Sequence, residues 1–124
     1  MRRLSTLDIL KEIDKDFYAK RYFKGVFARD NIPVIISYPC SLIINTDPST
    51  RPGEHWLALF FNSKKEAEFF DSFGNDAQEF GLGKYIKRFS IKIVSNNVQL
   101  QSFDSNACGL FVFYIIKIKR FYFN

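Results

Sequence analysis

Cys108 follows a polar, turn-prone segment, Gln101-Ser102-Phe103-Asp104-Ser105-Asn106-Ala107, and precedes a long apolar run. That order describes a loop delivering a thiol to the start of a buried element. If the element is a helix, the unbonded N–H groups and the positive dipole end of its first turn favour the thiolate, the form that attacks carbonyls. A free cysteine is more commonly just packed in a core. Nucleophilic catalysis by a thiol also needs a base, a group that orients the base, and donors for the developing oxyanion. His55 is the only histidine, so no other imidazole competes for the base role. Asp71 can accept from the far ring nitrogen and hold the ring. Gln101, seven residues before Cys108, can aim its amide at the oxyanion beside the Cys108 N–H. Each residue also has a plain reading. A histidine beside a tryptophan in a strand is often structural, an Asp before Ser-Phe-Gly often forms a turn, and Gln101 could be a surface strand residue. The chemical reading rests on the four occurring together.

The elements that must position these groups follow from pattern. Leu4 to Ile9 reads as a helix start, with Ser5 as cap, Asp8 in the first turn and Leu4 stapled onto Ile9. Leu10, Ile13 and Phe17 continue one apolar face, and the helix fades near Tyr18 to Tyr22. Residues 23–33 read as irregular, with Gly25, Asn31 and Pro33 as breakers. Val34 to Ser37 is a short strand and Cys40 to Thr46 a better one, with Cys40 a packed core residue. A turn-rich stretch, Thr46 to Gly53, leads to a strand from His55 to Phe61. Asn62-Ser63-Lys64-Lys65 is a hairpin turn, and Ala67 to Asp71 is the returning strand. A tight hairpin sets its outer ends side by side, so His55 and Asp71 are expected to be neighbours. Asp76 to Arg88 has helical character weakened by Gly81 and Gly83. Phe89 to Val94 and Val98 to Gln101 read as strands. From Cys108 to about Arg120, β-branched and aromatic residues favour strand by propensity, but the length of the apolar run favours a buried helix, which is the reading adopted.

Composition bounds the rest. The chain has 124 residues, 47% hydrophobic and 25% charged, which suits one soluble domain rather than a disordered segment. Its 15 Phe and 6 Tyr are enough to build an aromatic core. The net charge of +5 comes from scattered residues, not from a block of like charge, so nucleic-acid contact is permitted but not demanded. Two cysteines do not make a disulfide framework, although a single bridge between Cys40 and Cys108 is conceivable. One histidine and two cysteines make a four-ligand structural zinc site improbable, and no glycine-rich phosphate loop occurs. No metal or other cofactor is therefore expected. There is no signal segment after Met1-Arg2-Arg3-Leu4, and the apolar run from Cys108 is too short to span a bilayer. A reducing compartment, cytoplasm or nucleus, is expected, with no membrane partner.

The motifs His55-Trp56, Asp71-Ser72-Phe73-Gly74 and Gln101 to Cys108-Gly109-Leu110-Phe111 together resemble the adenovirus-type cysteine endopeptidases, the adenain family. That family has relatives in large self-synthesising DNA transposons of the Maverick/Polinton type and in related viruses. Tyr22-Phe23-Lys24-Gly25 is similar to its early aromatic–glycine segment, and the likeness covers most of the chain. The resemblance implies an α+β fold of the papain-like clan that also holds the SUMO- and ubiquitin-like-specific proteases. In it, a central, mostly antiparallel sheet packs against a buried helix with the nucleophilic cysteine at its N-terminus. It implies His55, Asp71 and Cys108 as the triad and Gln101 as the oxyanion donor. Trp56 would shield the His55 ring, and Gly109 would support the site. It further implies cleavage of extended polyprotein or capsid-like segments next to small residues, often glycine. A monomer is expected, in the cytoplasm, the host nucleus or a virion-like particle.

Three departures accompany the likeness. Viral members often carry Glu where Asp71 stands, although the SUMO-specific relatives use Asp. Viral members are tuned by DNA and by a peptide cofactor disulfide-linked to a cysteine whose counterpart region, near Ser90, has none here. DNA remains a candidate activator for this basic chain. The chain ends sixteen residues after Cys108, where the family continues with further helices. The expectation is thus a single protease domain over residues 1–124, C-terminally truncated. Two alternatives stand beside the endopeptidase: a deconjugase for a ubiquitin-like modifier on the same fold, and an inactive transposon-derived remnant acting as a basic binding module.

Overall fold

In the computed structural model the described residues are 6–46, 55–71 and 74–95. Helix α1 spans Thr6–Asp14, and a separate turn of helix, α2, spans Phe17–Lys20. The expected continuous stripe is broken between them, where the Asp16 N–H closes back on the Ile13 carbonyl at 3.0 Å. That break carries Phe17 off the stripe. Of its three residues only Ile13 is buried, whereas Leu10 is 37% and Phe17 66% exposed. The expected Ser5 cap and Leu4 staple lie outside the described residues.

Five strands form one sheet in the order β1 (Phe23–Ala28), β2 (Cys40–Asn45), β3 (Trp56–Phe61), β4 (Glu66–Phe70) and β5 (Lys92–Ser95). The β2–β3 and β3–β4 pairs are antiparallel, but β1–β2 and β4–β5 are parallel. Among the described residues the sheet is therefore mixed, with as many parallel as antiparallel pairs where a mostly antiparallel sheet was expected. Local turn chemistry dictates the β3–β4 pair, while the parallel pairs depend on where long connections return. The α+β class stands. The expected helix beginning at Cys108 and the strand Val98 to Gln101 lie outside the described residues.

The segment expected to be irregular contains β1. Gly25, rather than breaking the chain's extension, sits in that strand at φ 137°, where the pairing with β2 shifts register between Phe23 and Val26. A strand glycine with positive φ at a register shift is the signature of a bulge, not of a strand end. A Cβ there would come within 3.2 Å of the Phe27 ring. Conversely, Val34 to Ser37 is no strand. Ile35 is buried, but Val34 and Ile36 are 63% and 88% exposed. The segment is tied down instead by Tyr85, whose hydroxyl donates to the Pro33 carbonyl at 2.6 Å.

The central hairpin forms as the turn residues dictate. The Ser63 hydroxyl accepts from the N–H groups of Lys65 and Glu66, and the Asn62 N–H donates to the Glu66 carbonyl. The Ser90 hydroxyl donates to the Ser63 carbonyl at 2.6 Å, docking the entry to β5 against the turn. That tether helps place β5 three residues later than the start expected at Phe89. The expected helix from Asp76 to Arg88 is split. A 3-10 helix, Ala77–Phe80, and helix α3, Gly83–Lys87, flank Gly81 at φ 72°.

Both faces of the sheet are buried. One carries Cys40, Leu42 and Ile44 of β2, Leu57, Leu59 and Phe61 of β3, and Ala67 and Phe69 of β4. It is covered by Ala77 of the 3-10 helix, by Leu82, and by Ile86 of α3. The other carries Ile43, Trp56, Ala58, Phe60 and Phe70, none more than 7% exposed. Leu59 lies at the middle of the first face, opposite Leu42 on one side and Phe69 on the other. Leu59→Ala should remove about 3 kcal/mol of stability, through lost transfer energy plus an unfilled cavity. A urea midpoint shift at constant slope measures it. A loss below about 1 kcal/mol would mean that this face is loosely packed.

Cys40 is free and fully buried, as its place in an apolar run leads one to expect. Burial pushes its thiol pKa up, against the opposing pull of Lys24. An alkylating agent at neutral pH should leave Cys40 unmodified in the folded protein, as peptide mass mapping would reveal. Prompt labelling of Cys40 would show that β2 opens readily.

Candidate functional site

His55 directly precedes β3, and the ladder reaches it: the Thr46 N–H donates to the His55 carbonyl at 3.0 Å. Asp71 directly follows β4. Side chains alternate along a strand, so His55 continues the row Phe61, Leu59, Leu57, and Asp71 continues the row Ala67, Phe69. Both therefore leave the sheet on the face covered by the 3-10 helix and α3, at the open end of the hairpin. The two side chains meet. His55 Nε2 lies 2.6 Å from Asp71 Oδ1, with Asp71 fully buried and the His55 side chain 14% exposed. An ionised carboxylate only accepts, so Nε2 carries the hydrogen of this bond.

The second carboxylate oxygen is also engaged. Asp71 Oδ2 accepts the Asn75 backbone N–H at 3.1 Å, and the Asp71 carbonyl accepts the Gly74 N–H at 2.9 Å. A buried carboxylate is tolerated only when its lone pairs are satisfied in this way. The Phe80 ring stacks on the His55 imidazole, with centroids 5.8 Å apart and planes 26° apart, and is itself tilted against Phe69 at 6.1 Å. Sequence reasoning did not single out Phe80. Its nine-residue separation from Asp71 matches no simple period, and only the split of the expected helix into a 3-10 turn brings it over the ring.

Trp56, expected to shield the imidazole, is buried in β3 at 1% exposure, and among the described residues the Phe80 ring stacks on His55. The Trp56 indole N–H has no hydrogen-bond partner among the described residues. Gln101, Cys108 and Gly109 lie outside the described residues. Among the described residues no group of three or more His, Cys, Asp or Glu side chains could hold a metal ion. No helix among them is long and apolar enough to cross a membrane.

A hydrogen-bonded imidazole and carboxylate at the open end of a hairpin is an arrangement that many unrelated folds share. The comparison with known families decides which this is: the model of the adenovirus endoprotease family matches residues 23–124. The chain belongs to the adenovirus endoprotease family. A protein named simply as a protease, from Bovine adenovirus 7, is 32% identical over 88 residues, covering 60% of this chain. The chain spans 44% of the length of that relative. For an adenovirus endoprotease, the matched range takes in β1, the His55–Asp71 pair, and the segment from Gln101 to Cys108. It begins at Phe23, after both N-terminal helices. The five-stranded mixed sheet and its few short helices are compatible with the family.

Proposed function

We propose that this chain is a cysteine endopeptidase in which Cys108 attacks the scissile carbonyl, His55 is the base, and Asp71 orients the imidazole. The observation that carries the reading is the 2.6 Å bond between His55 Nε2 and the buried Asp71 carboxylate, in a chain of this family. With its hydrogen on Nε2, the neutral ring presents a basic lone pair at Nδ1, and that atom would take the Cys108 proton. The thiolate then adds to the carbonyl carbon, and the negative oxygen is held by the Cys108 N–H and the Gln101 amide. The protonated ring returns its proton to the leaving amine as the C–N bond breaks, leaving a thioester on Cys108. Water attacks that thioester, with Nδ1 taking its proton, and the acid product and the thiol are released. Phe80 keeps one face of the ring dry throughout, while Trp56 and Gly109 support their catalytic neighbours.

The substrate proposed is an extended polyprotein or capsid-like segment cut beside glycine or another small residue. Phe80, Ile32, Leu82 and Tyr85, together with Arg29 and Asp30, line an open depression, which offers both apolar and charged contact for a substrate beside Phe80. The positive balance of the chain suits a nucleic-acid activator, which a salt-sensitive rise in rate on adding DNA would reveal.

The test is labelling of Cys108 by an electrophilic thiol probe at neutral pH, with and without His55→Ala. The intact protein should react at least about tenfold faster than the variant, because the imidazole supports the thiolate. Equal, slow labelling of both would defeat the endopeptidase reading. It would favour a non-catalytic binding module instead. Faster cleavage of ubiquitin-like modifier fusions than of short glycine-containing peptides would move the substrate to a deconjugase type.

A further inference from the structure

We infer that Gly74 is a positioning residue for the imidazole, acting through the turn that both clamps Asp71 and aims Phe80. The inference rests on the proposed role of His55, but it concerns a residue that touches none of the reacting atoms.

Gly74 has φ 82°, in the left-handed region that L side chains rarely enter. Two consecutive N–H groups on either side of that φ do different work. The N–H of Gly74 reaches back to the Asp71 carbonyl at 2.9 Å and closes the turn. The next N–H, that of Asn75, points at the Asp71 side chain and bonds Oδ2 at 3.1 Å. With φ in an ordinary region, the chain would leave the turn in another direction and the second N–H would miss the carboxylate. Oδ2 would lose this donor, and the carboxylate that holds the imidazole through Oδ1 would be less well fixed.

The same redirection aims the residues after the turn. One residue past Asn75, Asp76 Oδ1 accepts the Gln78 N–H at 3.0 Å and starts the 3-10 helix Ala77–Phe80. That helix ends on the ring that stacks against His55. One glycine thus bears on two restraints of the imidazole: the carboxylate on its edge and the phenyl on its face. Restraint of this kind selects one tautomer, with hydrogen on Nε2 and the lone pair on Nδ1, in one ring orientation.

Because His55 is the only histidine, its ring nitrogens give a single pair of ¹⁵N resonances, and the tautomer can be read without assignment. The test compares the intact protein with Gly74→Ala, Gly74→Asn and Asn75→Pro, each checked for a cooperative thermal transition. Alanine disfavours positive φ; asparagine tolerates it; proline removes the donor N–H directly, while keeping a glycine at 74 and restricting its backbone. The intact protein should show the Nε2–H tautomer. Gly74→Ala and Asn75→Pro should show averaged tautomers, and Gly74→Asn should recover the Nε2–H form. In peptide hydrolysis, Gly74→Ala should lower kcat about tenfold, with KM within about twofold, since a positioning defect acts on the reacting complex. Should Gly74→Ala fail to fold, Asn75→Pro carries the test by the same signature.

A folded Gly74→Ala or Asn75→Pro that keeps the Nε2–H tautomer overturns the inference. So does a Gly74→Asn variant no better than alanine. These signatures do not need turnover. An intact protein with the fixed tautomer but no hydrolysis would sink the endopeptidase reading and leave the role of Gly74 standing.

Discussion

Cys108→Ala should abolish peptide hydrolysis, lowering the rate by at least about 10⁴-fold. The reason lies as much in what surrounds the site as in the residue itself. The other thiol, Cys40, is fully buried opposite Phe61 in the β2–β3 ladder and cannot stand in for it. There is one imidazole in the chain, and its Nε2 edge is committed to Asp71. No second pairing of thiol and base is therefore available. Fluorogenic peptides with glycine beside the scissile bond, followed at high enzyme concentration, would measure the remaining activity. A variant retaining more than about one part in a hundred would place the nucleophile elsewhere. Retention of full activity would indicate a different reaction altogether.

Asp71→Asn should lower kcat by about 10⁴-fold while leaving the fold in place. Asparagine has the shape of aspartate but only one accepting oxygen. In the structure both carboxylate oxygens accept, one from His55 Nε2 and one from the Asn75 N–H. An amide placed there must turn its NH₂ group toward one of these donors. If it faces the Asn75 N–H, two donors collide in a fully buried place, and the turn is disturbed. If it faces Nε2, it drives the imidazole to carry its hydrogen on Nδ1, which then has no lone pair for the thiol proton. The variant also loses the negative charge that steadies the imidazolium. The measurement is kcat together with the rate of thiol labelling, both of which should fall. An unchanged kcat in Asp71→Asn would mean that Phe80 and the strand alone hold the ring.

The hairpin is legible in the sequence because everything that makes it is local. Asn62, Ser63 and Glu66 close its turn through bonds spanning two to four residues, and the apolar strands on either side leave little choice of register. The neighbourhood of His55 and Asp71 comes with it, since the ends of a short hairpin must lie together. Cys40 can likewise be assigned to the core from the apolar run it opens. Beyond the hairpin, local reasoning fails in a consistent direction. Gly25 has the local character of a breaker, yet β1 continues through it by bulging against β2. Val34 to Ser37 has strand-like residues but joins no strand pairing among the described residues. The later start of β5 goes with the bond from the Ser90 hydroxyl to the Ser63 carbonyl, a contact across 27 residues that no short window of sequence contains.

The kinds of group available for chemistry, and the adjacency of imidazole and carboxylate, are thus determined by the chain itself, because residue identity and a short turn are enough to specify them. The tertiary structure alone decides that a phenyl ring faces the imidazole, that the Asn75 N–H clamps the carboxylate, and that two of the four strand pairings among the described residues run parallel. Those outcomes turn on a single positive φ at Gly74 and on long connections returning to the sheet. Their energies are summed over distant partners, so no stretch of sequence carries them by itself.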